Sequence, residues 1–537
     1  MTLFVTSARG VSAMKRFVVA LVACLGFALT AYAQGRDWMT DSADAQRSAW
    51  IRSDSKINKD SMSKPGFEFL WKLKLNNPPR QLNGLTPPAT LERLIGYRGF
   101  RMLGFVAGSS GKLFTIDTDL GRMEWERQLS AKGTSVGTLN CPGGITTGVV
   151  RPVLAAIPPA PTGGGSGRQT PAKSGVGVPG QGAVTLADVR PQGNFNMNAM
   201  MPQSTRVNPA NPPGGQFGAG PFLVYALAGD GKLYALHLSN GADFEPPTNF
   251  LPANANANGL IIVDQVAYVV TEQGCGGAAN GVWALDLITK QVKTFKANVV
   301  GSAGIAFDGD SSIYVTTGSG GDQPNSLVAL DAKSLAVKAS FSAGAQSFAS
   351  SPVVFAHKSK TMIAATTKDG RVHLFDSTNL NAPLASSPAM NATDLAAGAL
   401  ASWQDLSGTR WILVPTNGSV VAWKVVEQGS RVSLQTGWTS RDLISPLPPT
   451  IINGVAFVTS SGEFRAKDSK LTAAQRAARS GKAVIYALDA STGKELWNSG
   501  TTITSFARGG ALSGGMGQLY LTTYDGTIYT FGFPMEH

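Results

Sequence analysis

Apolar residues along this chain fall in short runs separated by polar, Gly-containing punctuation. Ile313–Thr317, Met362–Thr367, Val455–Thr459 and Leu519–Thr523 are rich in β-branched and aromatic residues, the signature of strands. Each is followed by a second apolar run, and many joints between the two are Asp-Gly: Asp230-Gly231, Asp369-Gly370 and Asp525-Gly526. Asp-Gly between two such runs predicts a tight hairpin, because Gly takes the positive φ that the turn needs. Earlier runs such as Ser351–Phe355 supply a further strand. The predicted unit is about four antiparallel strands.

That unit recurs. Ala487–Trp497 reads ALDASTGKELW. A strand ends in Ala-x-Asp, a turn passes through Thr492-Gly493, and a Trp closes the unit. Asp489 is suited to accept backbone N–H groups in the turn, and Gly493 tolerates positive φ. Weaker copies follow the same plan. Gly111–Trp125 keeps Asp117, Gly121 and Trp125, and in Gly231–Gly241 His237 takes the Asp place. Gly281–Phe295 keeps Asp286, Ser326–Phe341 keeps Asp331, and Gly370–Asp376 ends on its Asp. Gly418–Trp423 and Gly526–Phe533 complete eight copies. Residues 67–537, without the tract 157–219, average about 51 residues per copy, near the roughly 40–50 of a propeller repeat. The expected fold is all-β: an eight-bladed β-propeller of four-stranded antiparallel blades. The last copy lacks an outer strand, whereas Phe67–Leu73 (FEFLWKL) is a strand without a blade. Pairing the two would close the ring and remove its open sheet edges.

Composition agrees. Only 15% of residues are charged, with 62 Gly and 30 Pro, which suits short strands and tight turns over long solvated helices. Two stretches depart from the repeat. Residues 157–219 are rich in Gly, Pro, Asn and Gln, and this low-complexity insertion falls between the first and second strands of the second blade. Within it Asn194–Met201 holds three Met; thioethers suit Cu(I), and a linker is the simpler reading. Residues 463–482 form an insertion in the seventh blade, where Ser469–Arg479 predicts a short basic helix. In that strand order the two insertions leave on opposite faces; both are candidates for partner binding, and loops that merely tolerate insertion are the simpler reading.

The first 33 residues read as a secretory signal peptide. Met14-Lys15-Arg16 is the charged start, Phe17–Leu29 the apolar stretch and Ala31-Tyr32-Ala33 the cleavage site, so either Met1 or Met14 could begin translation. A rival reading takes Leu21–Cys24 as a lipobox with Cys24 as a lipidated anchor, but the apolar run continues past Cys24 to Leu29. Residues 34–66 are an N-terminal extension. Periplasmic or secreted localisation is expected, with no transmembrane segment after signal removal. The formal net charge of +12 becomes +9 (43 basic against 34 acidic residues), which could favour anionic surfaces. Basic residues do not alternate with aromatics as in a nucleic-acid interface, so no nucleic-acid partner is expected. Cys141 and Cys275 remain, each beside a Gly-rich stretch. A disulfide, two buried thiols or a ligand-lining rim are the alternatives.

The Ala-x-Asp-x-x-Thr-Gly-x-x-x-Trp pattern of Ala487–Trp497 resembles that of the pyrroloquinoline-quinone (PQQ) repeat propellers, the quinoprotein-like eight-bladed superfamily. Asp37-Trp38-Met39 and Trp71-Lys72 are similar to features at the family's N-terminus. The resemblance implies that Trp71, Trp125 and Trp497 dock one blade on the next. Asp117, Asp286, Asp331, Asp376 and Asp489 are accounted for as turn residues. For an enzyme the resemblance implies a calcium-held PQQ at the axis with Glu, Asn and Asp ligands, an Asp base, a stacking Trp and, in alcohol dehydrogenases, adjacent cysteines. The chain has no adjacent cysteines, no Cys-x-x-Cys-His haem site and no spare carboxylate constellation. His237 and His373 fall on strands, His357 in a loop and His537 at the end. Catalytic and cofactor-binding residues are therefore unassigned and no metal site is expected. The first functional expectation is a non-catalytic binding or scaffold protein of the cell envelope, with an envelope protein or small molecule as partner. The alternative is a PQQ- and calcium-dependent alcohol or sugar dehydrogenase with diverged site residues.

Overall fold

The computed structural model describes residues 37–96, 99–129, 137–158, 223–390, 395–429, 431–465, 468, 470–510 and 512–534. The signal peptide with Cys24, the Met cluster 194–201, nearly all of the tract 157–219 and His537 lie outside the described residues. Eight small sheets are present among the described residues, and together they form an eight-bladed propeller.

Blade 1 comprises Ala89–Gly96, Gly99–Ala107, Lys112–Asp117 and Arg122–Gln128. Blade 2 comprises Leu223–Leu227, Lys232–His237 and the short Thr248–Asn249, and Val150 bridges Tyr225 where an inner strand would lie. Blades 3 to 6 occupy Asn256–Lys296, Val299–Ser342, Val353–Ser386 and Ala401–Thr439 in turn. Blade 7 runs from Thr450–Ile452 to Glu495–Asn498 and gains a fifth strand, Trp50–Ile51, parallel to its inner edge. Not every blade is therefore four-stranded and antiparallel as expected. Blade 2 is thinner because its inner strand is reduced to the Val150–Tyr225 bridge, and blade 7 is wider because the N-terminal segment adds to it. Blade 8 takes Leu512–Gly515, Gln518–Thr522 and Thr527–Gly532 from the C-terminal end and its outer strand, Glu68–Lys74, from the N-terminal end. Trp71 lies opposite Thr530 and Leu73 opposite Ile528, so the two ends of the ring are hydrogen-bonded into one sheet.

Period-two alternation buries one side chain in two against each neighbouring blade. Val224 and Leu236 pack with Phe105 between blades 1 and 2, and Val270 and Val282 pack with Val315 between blades 3 and 4. Between blades 8 and 1, Ile528 meets Val106 and Phe114.

At the rim the repeat Trp latches onto a glycine of the next blade. Trp71 donates its indole N–H to the Thr118 carbonyl at 3.0 Å, Trp125 to Leu238 at 3.1 Å and Trp438 to Ala490 at 2.9 Å. Each acceptor follows the repeat Asp or its substitute, and each ring covers the turn glycine three positions on. A Cβ at Gly121 or Gly241 would lie 2.6 Å from the facing indole, so these glycines are required by space as well as by φ. Where no Trp faces the turn, Lys290 and Leu335 occupy the same positive-φ position at 59° and 61°. Trp497 has a different seat. It packs edge-on against Phe67 at 4.9 Å and Phe531 at 5.3 Å, at the joint where the ring closes.

Candidate functional site

The axis of a propeller is its usual ligand channel, and here the chain itself enters it. Residues 37–54 contact every blade in order. Trp38 donates its N–H to Thr90 Oγ1 and accepts from the Thr90 N–H, both at 2.7 Å, on blade 1. Arg151, just after the Val150 bridge to blade 2, donates its N–H to Met39 at 2.8 Å, and the Thr40 hydroxyl donates to Leu260 of blade 3 at 2.9 Å. Phe307, Val354, Ser402 and Ile451, on the inner strands of blades 4 to 7, donate to Ala45, Gln46, Ser48 and Ala49. Gly517 of blade 8 donates to the Asp54 carboxylate at 2.8 Å. Ser42, Ala43, Arg47 and Ala49 all have positive φ, between 51° and 74°. Each such L-residue costs roughly 1–2 kcal/mol, so the tight turns persist only because the ring satisfies their backbone groups.

Arg47 holds this segment together. It is 1% exposed. Its Nε donates to Ile305 O at 2.7 Å, Nη1 to Thr40 Oγ1 at 3.0 Å and Asp41 O at 2.8 Å, and Nη2 to Gly259 O at 2.8 Å. Burial lowers its pKa to about 10, against the pull of Asp41 and Asp44, and the guanidinium stays charged at neutral pH. Burial likewise raises the Asp41 carboxyl, with Arg47 opposing. Asp44 accepts from the Ser48 N–H and hydroxyl and pairs with Arg52 at 3.0 Å. Asp37 accepts from Arg151 at 2.5 Å and from the Glu92 N–H at 2.8 Å; burial outweighs Arg151 and raises its pKa.

Above this plug, on the face where the inner strands begin, a recess of about 190 Å³ remains. Trp38, Asp41 and Ser42 form its floor, and Asn83, Asn258 and Arg508 are among its walls. The Asn258 amide donates to Glu272, whose carboxyl is raised by burial, and its Oδ1 is buried without a partner. These residues do not fit a calcium-held quinone. Calcium takes about six to eight oxygens, several from carboxylates, and among the described residues the sole lining carboxylate, Asp41, faces Arg47. Among the described residues no three His, Cys, Asp or Glu side chains cluster as metal ligands.

The residues singled out in the sequence lie elsewhere. Asp117, Asp286, Asp331, Asp376 and Asp489 each accept one or two backbone N–H groups two or three residues ahead, in turns at the rim. Cys141 and Cys275 are joined in a disulfide with Cα atoms 5.4 Å apart, tying the loop after blade 1 to a hairpin of blade 3. His357 is paired with Glu427 at 3.2 Å, and His373 bridges Ser386 and Thr367. Burial lowers the pKa of both rings. His237 packs edge-on against Phe244. None of these side chains lines the recess. The axial residues Asp41, Asp44, Arg47 and Arg151 were missed, because a polar segment without periodicity carries no pattern. Trp438 was passed over as a latch because its copy lacks the Asp-turn-Gly frame.

No family model matches this chain, and no curated protein matches it. Solved structures do. Quinohemoprotein alcohol dehydrogenase from Comamonas testosteroni aligns at 14% identity over 95% of this chain and 84% of its own, with a TM-score of 0.56. A quinohemoprotein alcohol dehydrogenase from Pseudomonas putida HK5 aligns at 10% identity over 94% and 81%, with a TM-score of 0.53. The fold is the propeller that these two enzymes share. BamB from Moraxella catarrhalis aligns more loosely, at 14% identity over 87% of this chain and all of its own, with a TM-score of 0.46. Among the described residues, no helix is long and apolar enough to cross a membrane.

Proposed function

We propose that this chain is a non-catalytic binding or scaffold propeller of the cell envelope. The observation that carries the reading is the axis: residues 37–54 bond to all eight blades, and the recess they leave offers, among the described residues, one carboxylate, Asp41, which faces Arg47. An envelope location is supported by the signal-peptide pattern of residues 14–33 and by the Cys141–Cys275 disulfide, a bond that persists in oxidising compartments. The second reading, a PQQ-dependent dehydrogenase, is favoured by the fold shared with the two alcohol dehydrogenases. The test is to incubate the mature protein with PQQ and calcium, then follow quinone absorbance and dye-linked alcohol oxidation. The binding reading expects no retained quinone and no turnover; stoichiometric uptake with turnover would establish the enzyme instead.

A further inference from the structure

The axial recess does not end at the axis. A second recess of about 200 Å³, lined by Leu82, Gly84 and Thr522–Tyr524, shares Asn83, Leu85, Arg508 and Gly509 with it. Together they form one groove running from Asp41 outward over blade 8. The insertion of blade 7 packs against the residues that line it. The helix Ala473–Arg479, capped by Thr472, packs Ala473 and Ala477 onto Leu82, Phe506 and Tyr524. The rings of Phe506 and Tyr524 stack at 4.5 Å.

Charge on this insertion is one-sided. Residues 463–482 carry six Lys or Arg against two acids, and Arg465, Lys470, Arg479, Lys482 and Arg508 are exposed. One acid is spent on organising the others. Glu463 is buried, and its two carboxylate oxygens take Nε of Arg508 at 2.8 Å and Nε of Arg465 at 2.9 Å. Each guanidinium is thereby fixed by one edge, while its outer N–H pair is the fork that suits a carboxylate. The triad keeps a net positive charge at the mouth of a half-apolar groove.

Resting on the binding-protein reading, we propose that this groove binds an acidic peptide segment of a partner protein. A carboxylate of that segment seats on Arg508 and Arg465, and neighbouring apolar side chains enter toward Leu82 and Tyr524. The chain's own tract 157–219 does not match the groove in charge: it carries four Lys or Arg against one Asp. A bilayer surface is a poorer match, because Arg508 opens into a recess and a flat headgroup layer cannot follow it.

The test uses the mature full chain and a short fluorescent peptide alternating Asp or Glu with Leu or Tyr, read by anisotropy beside a Lys-for-acid counterpart. Binding of the acidic peptide alone is expected. Arg508→Ala and Arg465→Ala should each weaken it roughly tenfold, Arg508→Lys by less, and Lys333→Ala, on the opposite face, not at all. No binding, equal loss in Lys333→Ala, or stronger association with phosphatidylglycerol vesicles would each overturn the proposal. Near-ultraviolet circular dichroism confirms that each variant folds. The same preparation is assayed with PQQ, calcium and dye. Turnover sinks the binding-protein reading itself, whereas failed peptide binding without turnover sinks only the groove.

Discussion

Rim and axis of this propeller are built from opposite materials. At the rim, apolar rings cover glycines and each turn carboxylate is met by backbone N–H groups, as at Asp286 and Asp331. At the axis, buried charges and strained backbone are matched to carbonyls of many blades, as around Arg47. A rim contact joins two neighbours and can be lost one at a time. The axial segment joins all eight, so its loss is felt around the whole ring.

The largest effect is expected at Arg47. Arg47→Met removes the donor to Ile305, Gly259 and Asp41 and leaves Asp41 without its cation. A loss of about 3–5 kcal/mol in denaturant melts is expected, because a buried charge network loses one member. A change below about 1 kcal/mol would show that the axis is a passenger of the ring.

Trp125→Ala tests the rim. It empties the seat over Gly241 and removes one indole hydrogen bond, for an expected loss of about 2–3 kcal/mol. The latch rule sharpens further in a matched pair. Gly121→Ala should cost about 1–3 kcal/mol, since its Cβ would meet the Trp71 ring. Lys290→Gly, at an exposed turn of the same φ without a facing Trp, should stay within about 1 kcal/mol of wild type, as relieved strain offsets lost backbone stiffness. Equal losses in the two variants would break the rule.

Acid should separate the regions most finely. The Ser334 hydroxyl and backbone N–H groups hold the Asp331 carboxyl below its ordinary 3.8. Its contribution is present above that value and is lost as pH falls through the lowered one. Asp41 has the opposite sign. Burial raises its carboxyl, so the folded state takes up a proton more readily than the unfolded chain. Its favourable contribution is full below 3.8 and is lost as pH rises through the raised value. Melts from neutral to acid pH should show the gap between wild type and Asp331→Asn closing only below about 3.8. For Asp41→Asn, wild type should gain on the variant before that point is reached. Parallel profiles would contradict the assignment.

The blades were legible because each is a local device. Asp489, Gly493 and Trp497 lie within one short stretch, and the hairpin that joins their strands is written in Asp-Gly. Even the closing strand at Trp71 could be found, since an orphan strand and an incomplete blade point to each other. Composition and alternation thus determined the fold class, the repeat and the turn roles. Only the tertiary structure decided where residues 37–54 go. Their partners, from Thr90 to Gly517, are spread over more than four hundred residues of chain and are brought together by ring closure alone. The same holds for Glu463 with Arg508 and for Cys141 with Cys275. A strand announces itself through its neighbours in sequence. A buried charge is explained by its neighbours in space, and those exist only once the eight blades have met.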